Sequence, residues 1–155
     1  MAAVTLRLAR PEDAAGIAGV LRDLGWFEHI TAESLATTTQ RVASQLAACA
    51  DGASTVLVAE RDSVVVGYLA AHWFPNLMRG AEGYISELFL SEAARGQGIG
   101  GRLLAAIESE ARDRGADRLI LFNRKERESW RRGFYVKHGW EAREDSTLFM
   151  RWLGE

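Results

Sequence analysis

Tyr84-Ile85-Ser86-Glu87-Leu88-Phe89-Leu90, then Ser91-Glu92-Ala93-Ala94, then Arg95-Gly96-Gln97-Gly98-Ile99-Gly100-Gly101, then Arg102 to Arg114 closed by Gly115, read in order as a strand, a short link, a glycine-rich turn and a helix. Four glycines within six residues at the start of a helix leave backbone N–H groups unshielded by any Cβ, where the helix dipole favours negative charge. An ordinary turn would need only one or two glycines. The stretch therefore reads as a phosphate seat.

Gly96-Gln97-Gly98-Ile99-Gly100-Gly101 satisfies the dinucleotide pattern G-x-G-x-x-G, but the surroundings do not. That fingerprint follows its strand at once, and the next strand ends in an acidic residue for the ribose hydroxyls. Here four residues separate Leu90 from Arg95, and the next strand, Arg118 to Phe122, runs into Asn123-Arg124-Lys125. A Walker loop is excluded because no Gly-Lys-Ser or Gly-Lys-Thr occurs.

The rest of the chain bounds the answer. At 155 residues, 48% apolar and 26% charged, it reads as one domain spanning 1–155 with a substantial core. A formal charge of −2 with interspersed signs gives no stripe for nucleic acid and no polybasic patch for a membrane. The single cysteine, Cys49, reads as core packing, and histidines scattered at 29, 72 and 138 give no metal cluster. Without a signal-like or membrane-spanning run, a cytoplasmic address is expected.

Val4 to Leu8 alternates as a first strand, and Pro11 opens a helix carrying Ile17, Leu21 and Leu24 on one face and stopped by Gly25. An aromatic connector, Trp26 to Ile30, leads to a second helix that Thr31 can cap, weakened at Thr37-Thr38-Thr39 and closed by Asp51-Gly52. Thr55–Glu60 and Val64–Trp73 form a hairpin, ended by Pro75-Asn76, with a loop from Met78 to Gly83. After the glycines, the helix buries Leu103, Leu104, Ile107 and Ala111 and pairs Glu110 with Arg114 outside. With the strand Arg118–Phe122 it completes a right-handed βαβ unit. Ser129 can cap a further helix ending at Gly139, and Ser146–Trp152 reads as a last strand. The expected fold is α/β with a mixed sheet, in the order strand, two helices, three strands, helix, strand, helix, strand.

Arg95-x-x-Gly98-x-Gly100 resembles the pyrophosphate loop of the GNAT superfamily of acyl-CoA-dependent N-acetyltransferases, whose signature is Gln or Arg, two residues, Gly, one residue, Gly or Ala. The succession of elements is similar to that fold from end to end. Phe134-Tyr135-Val136-Lys137-His138-Gly139-Trp140 resembles a second family signature, the end of its fourth helix. One departure is present: the family's cofactor-contacting Asn stands seven residues before that Tyr, and here the position is Glu128. Asn123, twelve residues before Tyr135, or Ser129 is left to take the role.

The resemblance implies acetyl transfer from acetyl-CoA, as co-substrate and without a metal, to an amine of a small molecule or peptide. Arg95 and the backbone of Gly96, Gln97, Gly98, Ile99, Gly100 and Gly101 would hold the pyrophosphate. Backbone groups of Leu88, Phe89 and Leu90 would pair with the pantetheine arm like an added strand. Homodimers are frequent in that family, so a homodimer is the assembly implied.

An alkylamine with a pKa near 10 is mostly protonated at neutral pH, so a base is needed. Glu87 is the candidate, since it interrupts an apolar strand where burial should raise its pKa, and family members often carry a catalytic Glu there. A structural carboxylate paired with an arginine is the other reading. Tyr135 is the acid for the departing thiolate by resemblance, or a core-filling ring. Trp26, Phe27 and His29, with His72, Trp73 and Phe74, lie where this fold binds its amine, or fill core; His72 is a second base candidate behind Glu87. Two rival functions remain: a non-catalytic acyl-CoA-binding module and an NAD(P)-binding oxidoreductase.

Overall fold

The computed structural model describes residues 2–154, which form two compact units that divide between Phe122 and Asn123. The first unit is a five-stranded sheet: β1 (Thr5–Leu8), β2 (Ser54–Arg61), β3 (Val64–Asn76), β4 (Gly80–Leu90) and β5 (Ala116–Leu121), neighbours in that order. The first four strands are antiparallel, and β4 runs parallel to β5 through a crossover helix, as the βαβ reading required.

One face of the sheet is covered by α1 (Ala14–Leu24), the short α2 (Glu28–Thr31) and α3 (Leu35–Ala48). Ile17, Val20 and Leu21 of α1 and Ile30 of α2 pack with Val58 and Tyr68 of the sheet in one buried cluster, with Val42, Leu46 and Phe89 against it. Burying each large side chain there stabilises the fold by about 2 kcal/mol. The opposite face carries α4 (Ile99–Asp113), whose Leu103, Leu104, Ile107 and Ala111 are all buried, as their spacing predicts. Glu110 and Arg114 pair at 2.9 Å.

Several boundaries differ from the sequence reading. Ser34, not Thr31, caps α3, its Oγ accepting from the Thr37 N–H at 3.1 Å. The threonine run stays helical because it is anchored: buried Thr38 donates to Glu33 Oε1 at 2.8 Å. β3 continues through Pro75, and β4 starts at Gly80, so the expected loop is mostly hairpin. Gly83 is required within it, since an added Cβ would sit 2.5 Å from the Trp73 ring and 2.6 Å from Leu119. Cys49 is half-buried on the rim of a surface cleft with Leu46 and Val56 rather than in the core.

The second unit holds α5 (Glu128–Arg131) and α6 (Phe134–Lys137), separated at Gly133, whose φ of 63° is left-handed. Arg127 is the N-cap of α5, and Ser129 lies inside that helix. Residues 146–152 form no strand among the described residues, and Leu148, Phe149, Met150 and Trp152 are exposed. Alternation gives a segment the pattern of a strand, but only a partner's hydrogen-bond ladder makes it one. No helix among the described residues is long and apolar enough to cross a membrane.

Candidate active site

The glycine turn is built as a backbone cradle. Gly96 and Gly98 have φ of 72° and 77°, values that a side chain would strain, and nothing crowds the space where a Cβ would stand. Gly98 is the N-cap of α4, and the Arg102 N–H is bonded to its carbonyl at 3.1 Å. The N–H groups of Ile99, Gly100 and Gly101 therefore precede the helix ladder, at the positive end of a fifteen-residue helix. The Gln97 side chain is used within the turn, donating to the Ala93 carbonyl at 2.8 Å and accepting from Arg61. The Arg95 guanidinium lies over the Trp26 ring, 5.3 Å from its centroid.

β4 changes character at Ser86. Its ladder with β5 ends at Ile85 paired with Leu121, while its ladder with β3 continues to Leu90. Residues 86–90 are thus paired along one edge, and they are half-buried where the β3 residues Tyr68 to Ala71 are buried. The β3 register also shifts here: Ala70 faces Glu87 and Ala71 faces Ile85, so Ser86 is an inserted residue. Without this bulge Tyr84 and Glu87, three residues apart, would point to opposite faces. With it both lie on the face that α1 covers.

Glu87 is half-buried rather than enclosed, and Tyr68 donates its hydroxyl to Glu87 Oε1 at 2.9 Å. Its partner is therefore a tyrosine, not an arginine. Burial first, then the Glu87 charge and the hydrogen bond to it, push the Tyr68 hydroxyl pKa far up, so Tyr68 remains a donor. Phe89 lies 5.9 Å from the Tyr68 ring, 5.6 Å from Phe27 and 6.0 Å from Trp26, all edge to face. His29 is exposed beside Phe27 at 6.2 Å. The structure thus gathers Trp26, Phe27, His29 and Glu87 on one face, with Arg95 of the glycine turn touching the same aromatic group.

His72 lies further along that face, opposite Tyr84, with ring centroids 6.3 Å apart. Its Nδ1 is 2.9 Å from Ser54 Oγ and its Nε2 is 2.7 Å from Ser86 Oγ. Trp73 is separated from this group. It faces α4, donates its indole N–H to Thr55 Oγ1 at 2.9 Å and carries the Arg114 guanidinium 4.9 Å above its ring. Phe74, next on β3, is exposed opposite Glu82. Tyr68, Ser54 and Ser86 were missed by the sequence reading, because strand register places the first two and the bulge the third, and neither is written in any local pattern.

In the second unit Tyr135 is half-buried between Phe134 and Trp140, with centroids at 4.9 and 6.0 Å. Burial pushes its hydroxyl pKa up to about 12. Asn123 and Ser129, the two replacements for the displaced family Asn, are bonded to each other, Ser129 Oγ donating to Asn123 Oδ1 at 3.1 Å.

The sequence profile of the acetyltransferase (GNAT) family matches residues 21–140, most of the chain, and includes the glycine turn, Glu87 and Tyr135. The chain belongs to the GNAT acetyltransferase family. Solved structures agree with this fold over nearly the whole length. A transcriptional regulator from Bacillus halodurans C-125 superimposes with a TM-score of 0.84 at 26% identity, covering 97% of this chain and 100% of that one. A ribosomal-protein-alanine N-acetyltransferase from Brucella melitensis biovar Abortus 2308 gives 0.77 at 21% identity, covering 97% and 99%. An aminoglycoside acetyltransferase from an uncultured soil metagenomic sample gives 0.78 at 16% identity, covering 97% of both chains. No curated protein sequence matches the chain.

Membership of the GNAT family, together with a sheet antiparallel over its first four strands, removes the oxidoreductase alternative. GNAT enzymes normally use acetyl-CoA, and the residues present fit it: a row of N–H groups ahead of the helix ladder for the pyrophosphate and an edge at 86–90 outside the β5 ladder for an extended arm.

Proposed function

We propose that this GNAT protein is an N-acetyltransferase that moves the acetyl group of acetyl-CoA directly to a primary amine of a small molecule or peptide. The observation that carries the reading is Glu87: its carboxylate is fixed by the Tyr68 hydroxyl at 2.9 Å, one residue before the strand edge at Leu88, Phe89 and Leu90. Acetyl-CoA, when bound, supplies an activated thioester carbonyl. Glu87 takes a proton from the acceptor amine, and Tyr68 holds the carboxylate in a single orientation while it does so. Tyr135 gives the proton that the departing thiolate needs; a hydroxyl pKa pushed up to about 12 keeps it protonated throughout the neutral range.

Arg95 and the N–H groups from Gly96 to Gly101 hold the pyrophosphate. Asn123 or Ser129, bonded to each other, takes the role of the family's displaced Asn. Trp26, Phe27 and His29 form the acceptor side, and His72 faces it along the same sheet face. Trp73 is withdrawn from that role, since its indole is engaged with Thr55 on the α4 side.

Titration calorimetry with acetyl-CoA and, separately, NADPH tests the donor. Thiol release with a panel of lysine, spermidine, kanamycin and a hexapeptide with a free amino terminus tests the transfer. Heat from acetyl-CoA alone, together with turnover that falls in both Glu87→Gln and Tyr135→Phe, is the expected result. Acetyl-CoA binding with no amine turned over would instead mark a non-catalytic acyl-CoA-binding module.

A further inference from the structure

We infer that Ser86 and His72, oriented by Ser54, form a second proton acceptor in this site, a relay separate from Glu87. The inference rests on the N-acetyltransferase reading and begins from its proton balance. An alkylammonium ion must shed two protons from nitrogen to become an amide, while one proton is delivered to sulfur. Glu87 can hold only one of the two. A second acceptor on the same face removes the need for Glu87 to discharge in mid-reaction.

The bulge at Ser86 provides it. Ser86 has one hydroxyl proton and two neighbours to receive it: His72 Nε2 at 2.7 Å and the Ala70 carbonyl at 3.5 Å. The first is the shorter contact and the second lies at the limit, and the relay takes the proton to Nε2. The relay assigns His72 the tautomer protonated on Nδ1, with Ser54 Oγ, 2.9 Å from Nδ1, as the acceptor. Hydroxyl, imidazole and orienting acceptor in a row is the arrangement by which a base is held ready behind a hydroxyl. Glu87 and Tyr84 face Ala70 and His72, two residues apart on β3, so the backbone positions of Glu87 and His72 stand about 7 Å apart along the strand.

The step balances. The amine nitrogen loses its first proton to Glu87 and forms the N–C bond, and the C–S bond breaks with its electron pair going to sulfur. The second nitrogen proton passes to Ser86 Oγ as the Ser86 hydroxyl proton moves to His72 Nε2, giving an imidazolium. Tyr135 protonates the thiolate; the two protons on Glu87 and His72 enter solvent, from which Tyr135 regains one.

Nitrogen NMR of the free protein, labelled at histidine, tests the relay without turnover, His72 being identified by its loss in His72→Gln. Nδ1 protonated with a bare Nε2 whose resonance moves in Ser86→Ala is expected; a protonated Nε2 overturns the relay. Kinetics form the second arm, using acetyl-CoA and the amine of the panel that turns over fastest. His72→Gln should lose about a hundredfold in kcat with both KM values held within about threefold, and added imidazole should restore His72→Ala by about tenfold. Wild-type turnover in His72→Gln would overturn the relay while leaving the acetyltransferase reading intact. Absence of turnover by the wild type would instead count against that reading, and the NMR result would still decide the His72 geometry. If His72→Gln does not fold, Ser86→Ala, which keeps the imidazole, should fall about tenfold, and an unchanged rate there refutes the relay.

Discussion

Two glutamates on β4 stand on the same face, five residues apart, in different surroundings. Glu82 lies where β4 is paired on both edges; it is 1% exposed and accepts from Arg118 Nε at 2.7 Å and from Asn76. Glu87 lies where β4 has left β5; it is half-buried and accepts from the neutral Tyr68 hydroxyl. Burial alone would raise the Glu82 pKa, but the Arg118 and Asn76 bonds more than offset it, and the group sits below the ordinary carboxylate value. A carboxylate neutralised by an arginine and sealed from solvent joins strands. One held by a neutral donor beside an open strand edge is the group proposed to meet the substrate.

Four experiments press on that contrast, in falling order of effect. Glu87→Gln should lower kcat by about a thousandfold, near 4 kcal/mol of barrier, with thermal stability unchanged; thiol release and calorimetry measure the two. Equal loss of stability would show that Glu87 is structural after all. Glu82→Gln should do the reverse, costing about 2 kcal/mol in denaturant unfolding because the buried position loses its charge-assisted bond from Arg118, while the rate per folded molecule stays at the wild-type level.

The same pair predicts an acid limb. The folded Glu82 pKa lies below the ordinary 4.5, so its contribution is complete above that pH and fades as pH falls through the folded value. Unfolding followed below pH 4.5 should therefore be shallower in Glu82→Gln than in the wild type. Tyr68→Phe gives the smallest change, about tenfold in kcat and about 1 kcal/mol in stability, since it frees the Glu87 carboxylate to rotate and removes one hydrogen bond. A rate unaffected by that substitution would show that the carboxylate needs no such hold.

The sequence by itself determined the parts whose information is local. Glycines 96 and 98 sit at left-handed φ because only they adopt it without strain, and the turn followed by a helix is fixed by those residues. The apolar spacing that buries Leu103, Leu104, Ile107 and Ala111 is likewise a property of the helix itself. These features, with the motif around Tyr135, were enough to indicate the GNAT family.

The tertiary structure decided what depends on pairing between distant segments. Ser146–Trp152 has the alternation of a strand but takes no ladder among the described residues, and Trp73 follows His72 in sequence yet faces the opposite side of the sheet. The bulge at Ser86 is the clearest case. Side-chain direction in a strand repeats every two residues, so one inserted residue reverses every assignment beyond it. That single shift puts Tyr84, Ser86, Glu87 and His72 on one face, and it is set by the ladder with β3 rather than by the letters of β4.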